Sequence, residues 1–335
     1  MAEVKIPIWQ DDDIYIGNEF EDRIEYSITT DGGDTIVFSG VAHRRPNDTY
    51  VVIRINEICA NWLKQSYPFD DYSEPASDTL IGAPDLMREF EVVRTTTGEV
   101  LAAREYKYDW SYGKEQLSIP LYPIDRRVTE DMYFLFTDYE GAGDFLFYGY
   151  NASGQVAGAY TVSGDVGTVN GVLDLARFKA YTTRKTFSPS RVGYTQQKFH
   201  IIEGCSPYAL YYVNAGGGWE SLRIVAGNKA EALTRSTFKQ KYHNANRINR
   251  GLTNYHNDIV EAWTLGTDWL TDEGSANMHH LIGSPFVILH DIKKGTLQSV
   301  VITDTSLEVK TFANQGRQVV RYDINVQLSQ DRQRR

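Results

Sequence analysis

The chain has 335 residues, of which 41% are hydrophobic and 13% aromatic, so it is long enough for two or three packed domains and is not intrinsically disordered. Its formal net charge of −10 argues against a nucleic-acid-binding protein held by phosphate contacts. No apolar run approaches the roughly 20 residues that a membrane helix needs, and the first residues lack the basic and apolar stretches of a secretory signal.

Residues 1–125 are predicted to form an N-terminal β domain built from hairpins. The segments Arg23–Thr30 and Thr35–His43 have the composition of strands, and they flank Asp31-Gly32, a dipeptide typical of tight hairpin turns. A second pair of such segments lies on either side of the turn Thr95–Gly98. Both patterns indicate antiparallel strands joined by short connections.

Two further segments of this region carry structural signals. Apolar and polar residues largely alternate over Tyr50–Ile58, which predicts a strand. The segment Ser66–Pro84 is rich in Pro, Ser and Asp and is predicted to be a long surface loop. Because a loop of this kind often becomes ordered on a partner, it is one hypothesis for an interaction site.

The middle of the chain, residues 126–190, is predicted to be a second β domain. Its strand-like runs are separated by the glycine-containing turns EGAGD and NASG. The segment Arg184–Gln197 is polar and is broken by Pro189, which favours a domain boundary there. Residues 191–335 then form the third predicted domain.

Three consecutive glycines, Gly216–Gly218, follow a strand-like run in this third region. A phosphate-binding P-loop requires Lys and Ser or Thr after its last glycine, whereas here Trp219, Glu220 and Ser221 follow. A dinucleotide-binding loop opens a helix, but the residues after the glycines alternate as in a strand. We therefore predict a hairpin turn and no phosphate site.

The predicted fold class is all-β, with tandem β-sandwich or barrel-like domains and a few short helices. The helix signal lies in TDEGSANMHHLIGSP, where acidic residues come early and Gly283 and Pro285 mark the end. The strand-like runs FVILHD, LQSVVITD and QVVRYDINVQLS follow it. The third domain, residues 191–335, is therefore a β domain with one short helix.

The sequence carries no recognisable catalytic or cofactor motif, and we predict neither an enzyme nor a cofactor. Neither HExxH nor GxSxG occurs, and Cys59 and Cys205 are expected to be buried thiols without a partner. His290, Asp291 and Asp304 end neighbouring strands, so a metal site there is one hypothesis, although strand ends often carry polar residues for solvation alone. A glycoside hydrolase with an acid pair is a further alternative, but no such pair can be identified.

Aromatic residues are the remaining candidates, because the chain has 22 Tyr. We predict Trp219, Tyr211 and Tyr212 to be interface or core anchors, since Trp and Tyr are enriched at protein interfaces. The strands that flank the glycines could also extend sheets between subunits. In a carbohydrate-binding module such rings would instead stack on sugars. The other rings considered for that role are Trp263, Trp269, Tyr148 and Tyr150, with Trp263 expected in the core.

Several segments together resemble virion proteins of phages that infect Bacteroidota. TTDGGDTIVFSGVAHRRPNDTYVVIRINEICANWL is similar to their opening segments. YYVNAGGGWESL, TFKQKY, LIGSPFVILHD, VVITDTSLEVKT and VVRYDINVQL are similar to their C-terminal half, so the resemblance spans most of the chain.

The resemblance implies a structural virion protein of the tail, neck or baseplate region, synthesised in the cytoplasm of the bacterial host. It would assemble into a ring with copies of itself and other virion proteins, as at a head–tail connector, and would have no membrane or sequence-specific nucleic-acid partner. It supplies no catalytic residues. The alternative is a carbohydrate-binding or receptor-binding β module, for which a glycan would be the partner.

Overall fold

Most of the chain is described by the computed structural model. The described residues are 6–8, 12–16, 22–46, 48–69, 79–108, 126–129, 131–138, 145–150, 153, 155–162, 169–174, 185–190, 199–202, 206–240, 251–270, 275, 278–304, 321–329 and 332–334. Strands dominate, the helices are few and short, and one sheet closes into a barrel of six strands. The predicted all-β class with barrel-like domains is therefore confirmed.

The described residues of the N-terminal region form eight strands. They are β1 (Ile6–Pro7), β2 (Asp13–Ile16), β3 (Arg23–Thr30), β4 (Thr35–His43), β5 (Val51–Arg54), β6 (Thr79–Gly82), β7 (Met87–Arg94) and β8 (Val100–Lys107). Five of them form a sheet in the order β1-β8-β7-β3-β4, while β2 and β5 form a separate two-stranded ribbon. Both predicted hairpins, β3–β4 and β7–β8, are present. Their turns place Gly32 at φ 71° and Gly98 at φ 70°, in the left-handed region that glycine adopts without strain.

The strand predicted over Tyr50–Ile58 is shorter than expected. It ends at Arg54, and a helical turn α1 (Asn56–Cys59) follows, continued by a 3₁₀ turn over Ala60–Trp62. The helical spacing places Ile55 and Cys59, four residues apart, in the core, where both are fully buried. The Asn56 side chain donates a hydrogen bond from Nδ2 to the backbone oxygen of Ile8 at 3.3 Å, so burial and hydrogen bonding together favour helix over strand.

The described residues that follow, in the middle of the chain, form seven strands. They are β9 (Arg126–Thr129), β10 (Tyr133–Asp138), β11 (Phe145–Tyr150), β12 (Val156–Val162), β13 (Val169–Asp174), β14 (Lys185–Ser190) and β15 (Phe199–Ile202). They form a three-stranded sheet β10-β13-β6 and a five-stranded sheet β12-β11-β14-β15-β9. Because β6 precedes residue 125 and β15 follows residue 190, these sheets recruit strands across both predicted boundaries.

Strand β14 lies inside the segment that the sequence indicated as a break. It pairs with β11 along most of its length, but with β15 only over Lys185–Phe187. Pro189 lies beyond the β15 pairing, so the N–H group that proline lacks is not needed on that side. A proline in this part of the strand therefore does not interrupt the sheet.

The C-terminal region contains the barrel. Its elements are β16 (Tyr208–Val213), β17 (Trp219–Gln240), β18 (Gly251–Thr267), α2 (Met278–Ile282), β19 (Val287–Asp291), β20 (Thr296–Ile302), β21 (Asp323–Leu328) and β22 (Arg332–Arg334). Six strands close in the cyclic order β16-β17-β18-β21-β20-β19, all neighbours being antiparallel. Helix α2 lies within the predicted helical segment, and Gly283, expected to end it, donates its N–H to the oxygen of His279 at 2.9 Å.

Strands β17 and β18 continue well beyond the barrel as a long hairpin. Pairing of β16 with β17 stops at Ile224, and pairing of β21 with β18 stops at Ala262. The two long strands stay paired with each other as far as Gln240 and Gly251. The part of β17 that lies beyond both β16 and the β18–β21 pairing is residues 231–240, which at about 3.3 Å per residue is roughly 33 Å long.

One hydrophobic core joins the three predicted regions. Its buried members run from Ile8 to Tyr108, from Met132 to Leu173 and from Ala209 to Leu297. A second cluster lies within the barrel and includes Leu210, Tyr212 and Trp263. The two faces of the barrel strands thus serve different cores, as expected for side chains that alternate along a strand.

Candidate functional site

The glycine-rich segment is a buried hairpin turn between β16 and β17. Asn214 and Gly218 exchange hydrogen bonds, with the Asn214 N–H donating to the Gly218 oxygen at 2.8 Å and the Gly218 N–H donating to Asn214 Oδ1 at 3.0 Å. Gly217 has a φ of 78°, which favours glycine there. The prediction of a hairpin turn is confirmed. Because the turn is buried, its backbone does not offer a loop to a phosphate group.

The turn is covered by the beginning of the segment that was predicted to be a surface loop. Gln65 donates a hydrogen bond from Nε2 to the Gly217 oxygen at 2.5 Å, and Trp219 donates from Nε1 to the Ser66 oxygen at 3.1 Å. Phe69 packs against Tyr211, with ring centroids 5.4 Å apart. Within the predicted loop, Ser66–Pro84, the surface location is therefore wrong for Pro68 and Phe69, which are buried, whereas Tyr67 is 39% exposed as expected.

The rest of the predicted loop contains a short strand and a 3₁₀ turn in the part that the structure describes. Residues 79–82 form β6, and Pro84–Leu86 form a 3₁₀ turn with Leu86 fully buried. Residues 70–78 lie outside the described part of the chain, so the hypothesis of an interaction site there stays a prediction. The Pro- and Asp-rich composition indicated a loop but carried no alternation that would reveal a four-residue strand.

The three aromatic residues singled out from the sequence all lie in the interior. Trp219 and Tyr211 are 0% exposed and Tyr212 is 2% exposed. Tyr211 and Tyr212 point to opposite sides of β16, the first into the core shared by the three regions and the second into the barrel. Of the two roles predicted for these residues, the structure gives them that of core anchors.

Hydrogen bonds fix both tyrosines. The Tyr211 hydroxyl accepts the N–H of Tyr133 at 3.1 Å and lies 3.1 Å from His290 Nδ1. On the other side, the Tyr212 hydroxyl donates to Glu220 Oε2 at 2.5 Å. Asn214 donates from Nδ2 to Glu220 Oε1 at 3.0 Å, which links the buried carboxylate to the glycine turn. These polar groups therefore join the barrel to the middle region and hold the turn in place.

The strand segments next to the glycines are not free edges. Strand β16 pairs with β17 on one side and β19 on the other. The start of β17 contacts β10, where the Trp219 N–H donates to Thr137 Oγ1 at 3.3 Å and Ser221 Oγ donates to the Tyr133 oxygen at 2.9 Å. The prediction that the strand segments next to the glycines extend a sheet between subunits is therefore wrong for this end of β17.

The metal hypothesis for His290, Asp291 and Asp304 does not hold. His290 is buried against Tyr211, Asp291 accepts a hydrogen bond from Lys294, and Asp304 binds Asn325 through both carboxylate oxygens. Asp291 ends β19 beside the turn into β20, whereas Asp304 follows the far end of β20, so the two carboxylates lie at opposite ends of these paired strands. Across the described residues, no three His, Cys, Asp or Glu side chains are grouped to hold a metal ion.

Cys59 is a buried thiol, as predicted. Burial raises its pKa to about 12, so the thiol stays protonated and a poor nucleophile near neutral pH. Cys205 lies outside the described residues. The rings considered for sugar stacking differ in solvent exposure. Trp219 and Trp263 are buried, whereas Trp269 is exposed.

The remaining unusual feature is the projecting hairpin. No strand pairs with the outer edge of Val225–Gln240 in the part of the chain that the structure covers. Strand β9 lies beside β17, but no backbone pairing joins the two strands. The outer edge of β18 carries β21 as far as Ala262 and then β22 opposite Asn257–Ile259. The hairpin thus has one long unpaired edge and one partly covered edge.

A charged cluster fixes the base of this hairpin where it leaves the barrel. Lys229 Nζ lies 2.8 Å from Glu261 Oε2 and 3.2 Å from Glu231 Oε1. The same ammonium group lies 5.5 Å from the centre of the Trp263 ring. The hydrogen bond to Glu261, followed by that to Glu231, raises the pKa of Lys229 despite partial desolvation. These contacts tie neighbouring positions of β17 and β18 together on one face.

The hairpin was missed in the sequence, which predicted a strand only over the first residues of β17. The described side chains Ala226, Asn228 and 229–232 are all exposed, and a strand segment exposed on both faces lacks the apolar alternation that marks a half-buried strand. No helix among the described residues has the length and apolar character to span a membrane. Neither a protein-family model nor a curated protein matches the sequence.

Proposed function

We propose that the chain is a structural subunit of a phage virion, in the tail, neck or baseplate region, that assembles through its β17–β18 hairpin with copies of itself and other virion proteins. The observation that carries the proposal is the unpaired edge of Val225–Gln240 on a hairpin that projects from a closed barrel. The segment resemblance to virion proteins described above agrees with it. The buried residues Trp219, Tyr211 and Tyr212 lie in the barrel strands from which the hairpin extends.

A long unpaired strand edge is a template for another strand. Among the described residues no strand pairs with its outward N–H and C=O groups, and soluble proteins usually shorten, bulge or cover such edges. In Val225–Gln240 the edge spans 16 positions. Backbone pairing with a second strand would satisfy these groups and supply affinity without a hydrophobic pocket. A subunit built to assemble is the simplest reason for such an edge to persist.

The two edges of the hairpin differ, and this favours a ring. A contact between unlike edges of neighbouring copies is heterologous, and it generates a ring when the repeated rotation closes and an open filament when it does not. A contact between like edges would end at a dimer. Because β17 has the longer unpaired edge and β18 the partly covered one, joining β17 of one copy to β18 of the next uses both.

Shortening the hairpin tests this function. Ala232 and Val260 are paired across the hairpin, so replacing residues 233–259 by Asn-Gly joins them through a tight turn and keeps the Lys229 cluster. We expect the intact chain to form discrete oligomers in sedimentation velocity and negative-stain images, and the shortened chain to be a monomer.

A matched control separates assembly from folding. Thr96→Ala alters an exposed turn between β7 and β8 in the N-terminal region and should leave the oligomers unchanged. The shortened chain should retain the near-ultraviolet circular dichroism of the buried Trp219 environment. Oligomers of the same size in the shortened and intact chains, or no oligomer in either, would reject the proposed function.

A carbohydrate-binding or receptor-binding module is the second candidate. It is favoured by Tyr15 and Tyr50, which are 59% and 41% exposed with ring centroids 5.0 Å apart. Arg54 and Asp13 form an ion pair beside Tyr15, and such aromatic and charged groups together suit a sugar. Glycan-array binding that Tyr15→Ala abolishes would favour this function, whereas an array without signal would count against it.

A further inference from the structure

The structure points to the outer edge of β18 as the surface that receives a second copy of this chain, and to β22 as the strand that holds this surface in the free subunit. We infer that β17 of a neighbouring copy displaces β22 during assembly. This inference rests on the proposed function and deepens it, because it names the two edges that join and the segment that restrains them.

The first argument is direction. Strand β22 runs antiparallel to β18, and so does β17 on the opposite side of β18. In a cyclic assembly whose hairpins all project the same way, β17 of the next copy would also run antiparallel to β18. Strand β22 therefore occupies the place of a neighbouring β17 in the orientation that a ring requires.

The second argument is register. On one side of β18, Arg235 lies opposite Asn257 and Thr234 lies opposite Asp258. On the other side, Arg334 lies opposite Asn257 and Gln333 lies opposite Asp258. An arginine and then an uncharged polar residue thus occupy the same two positions on both sides. At these positions β22 resembles the β17 sequence that it would exclude.

At the third position, opposite Ile259, β17 and β22 carry different residues, and this difference favours replacement of β22 by a neighbouring β17. Ile259 has Leu233 opposite it in β17 but Arg332 opposite it in β22. An apolar cross-strand pair stabilises a sheet better than an arginine placed against isoleucine. A neighbouring β17 in the same register would place a second leucine opposite Ile259 in place of Arg332, and it would continue along β18 beyond the three positions that β22 reaches.

Charge complementarity supports the same pairing. Beside residues 251–261 of β18, whose outer edge β21 leaves uncovered, a neighbouring β17 in the same register would place residues 231–240, which contain Arg235, Lys239 and one acidic residue, Glu231. Residues 251–261 contain Asp258 and Glu261 and no lysine or arginine, and Glu261 already binds Lys229 of its own chain. Joining β17 to β18 between copies brings a basic strand beside an acidic one, whereas joining two β17 edges opposes like charges.

Deleting residues 330–335 tests the inference. An edge occupied by β22 in roughly nine of ten chains lowers the apparent affinity between copies about tenfold, so its removal should shift self-association to about tenfold lower concentration. Sedimentation velocity over a concentration series measures this shift. The deletion removes three arginines and one aspartate from a chain of net charge −10, so general charge repulsion would change association in the opposite direction.

A second variant is expected to act in the opposite sense. Arg332→Leu places an apolar residue opposite Ile259, so β22 should hold the edge more firmly and the copies should associate more weakly. Arg335→Gln lies beyond β22 and serves as the charge control, with little change expected.

The outcomes separate this inference from the proposed function. Tighter association after the deletion and weaker association with Arg332→Leu support it. If the intact chain assembles but the deletion leaves association unchanged or weakens it, β22 does not restrain the edge and the inference fails while the proposed function stands. If neither the intact nor the deleted chain associates at any concentration, both fail.

Discussion

At the scale of single residues, Trp219 links regions that are distant in the sequence. Its ring is fully buried, its Nε1 donates to Ser66, and its backbone N–H donates to Thr137. One side chain thus contacts the N-terminal segment, while its backbone binds the middle strand β10. Because of these contacts, a substitution at Trp219 should lower the stability of the folded subunit, whatever its effect on assembly.

Trp219→Ala is therefore expected to destabilise the fold. Removing a fully buried tryptophan costs about 3–5 kcal/mol of unfolding free energy through lost burial and a residual cavity. Trp269→Ala, at a ring that is 56% exposed, should change stability by less than about 0.5 kcal/mol. Urea unfolding of both variants measures the difference. Equal stabilities would contradict the core role of Trp219.

The sequence was informative about residues whose backbone is constrained and less so about partners. Gly32, Gly98 and the glycines after Asn214 marked turns correctly, because the left-handed conformation is a local requirement. Whether Trp219 faces a core or another subunit depends on which distant segment covers it. Nothing local in the sequence indicates that Gln65 and Ser66 are that cover.

At the scale of elements, the base of the hairpin is stabilised by a lysine that must stay charged. Glu261, the main partner of Lys229, is itself buried, so loss of the ammonium charge would leave a buried carboxylate without this ion pair. The cluster holds β17 and β18 together where they leave the support of the barrel.

This cluster predicts a loss of stability at alkaline pH. Because the folded-state pKa of Lys229 is raised above 10.5, its stabilising effect is complete below pH 10.5 and is lost as the pH rises through the folded-state pKa. The stability difference between the wild-type chain and Lys229→Met should stay constant near neutral pH and shrink above pH 10.5. Urea unfolding across pH measures it.

Glu231→Gln provides the matched comparison for that titration. It removes the carboxylate that contributes less to the raised pKa of Lys229 and keeps Glu261, so it should reduce the pH-dependent difference without abolishing it. A difference between wild type and Lys229→Met that persists unchanged at high pH would show that the ammonium charge is not responsible.

At the scale of the whole molecule, the regions that the sequence separated contribute to one core. Strand β6 of the N-terminal region pairs with β13, and β15 pairs with both β14 and β9. The all-β class could be predicted because each strand has its own pattern of residues. The pairing of strands distant in the chain could not, since it depends on edges and faces that only the folded molecule brings together.

The shared core predicts that residues 1–125 do not fold cooperatively when isolated. That fragment lacks the partner strand of β6 and the barrel turn that covers Gln65. Urea unfolding followed by circular dichroism should show a broad, non-sigmoidal change, whereas the intact chain should show a steep transition. A steep transition for the fragment would assign it an independent core.

Because Gln65 and Ser66 bind residues of the glycine turn, these contacts can form only late in translation. Gln65 and Ser66 leave the ribosome long before Gly217 and Trp219, the residues that they bind. Strand β6 likewise waits for β13. The nascent N-terminal half therefore keeps apolar groups such as Phe69 without their barrel partner Tyr211 until the β16–β17 turn has emerged, and apolar surface exposed in this way during synthesis favours aggregation.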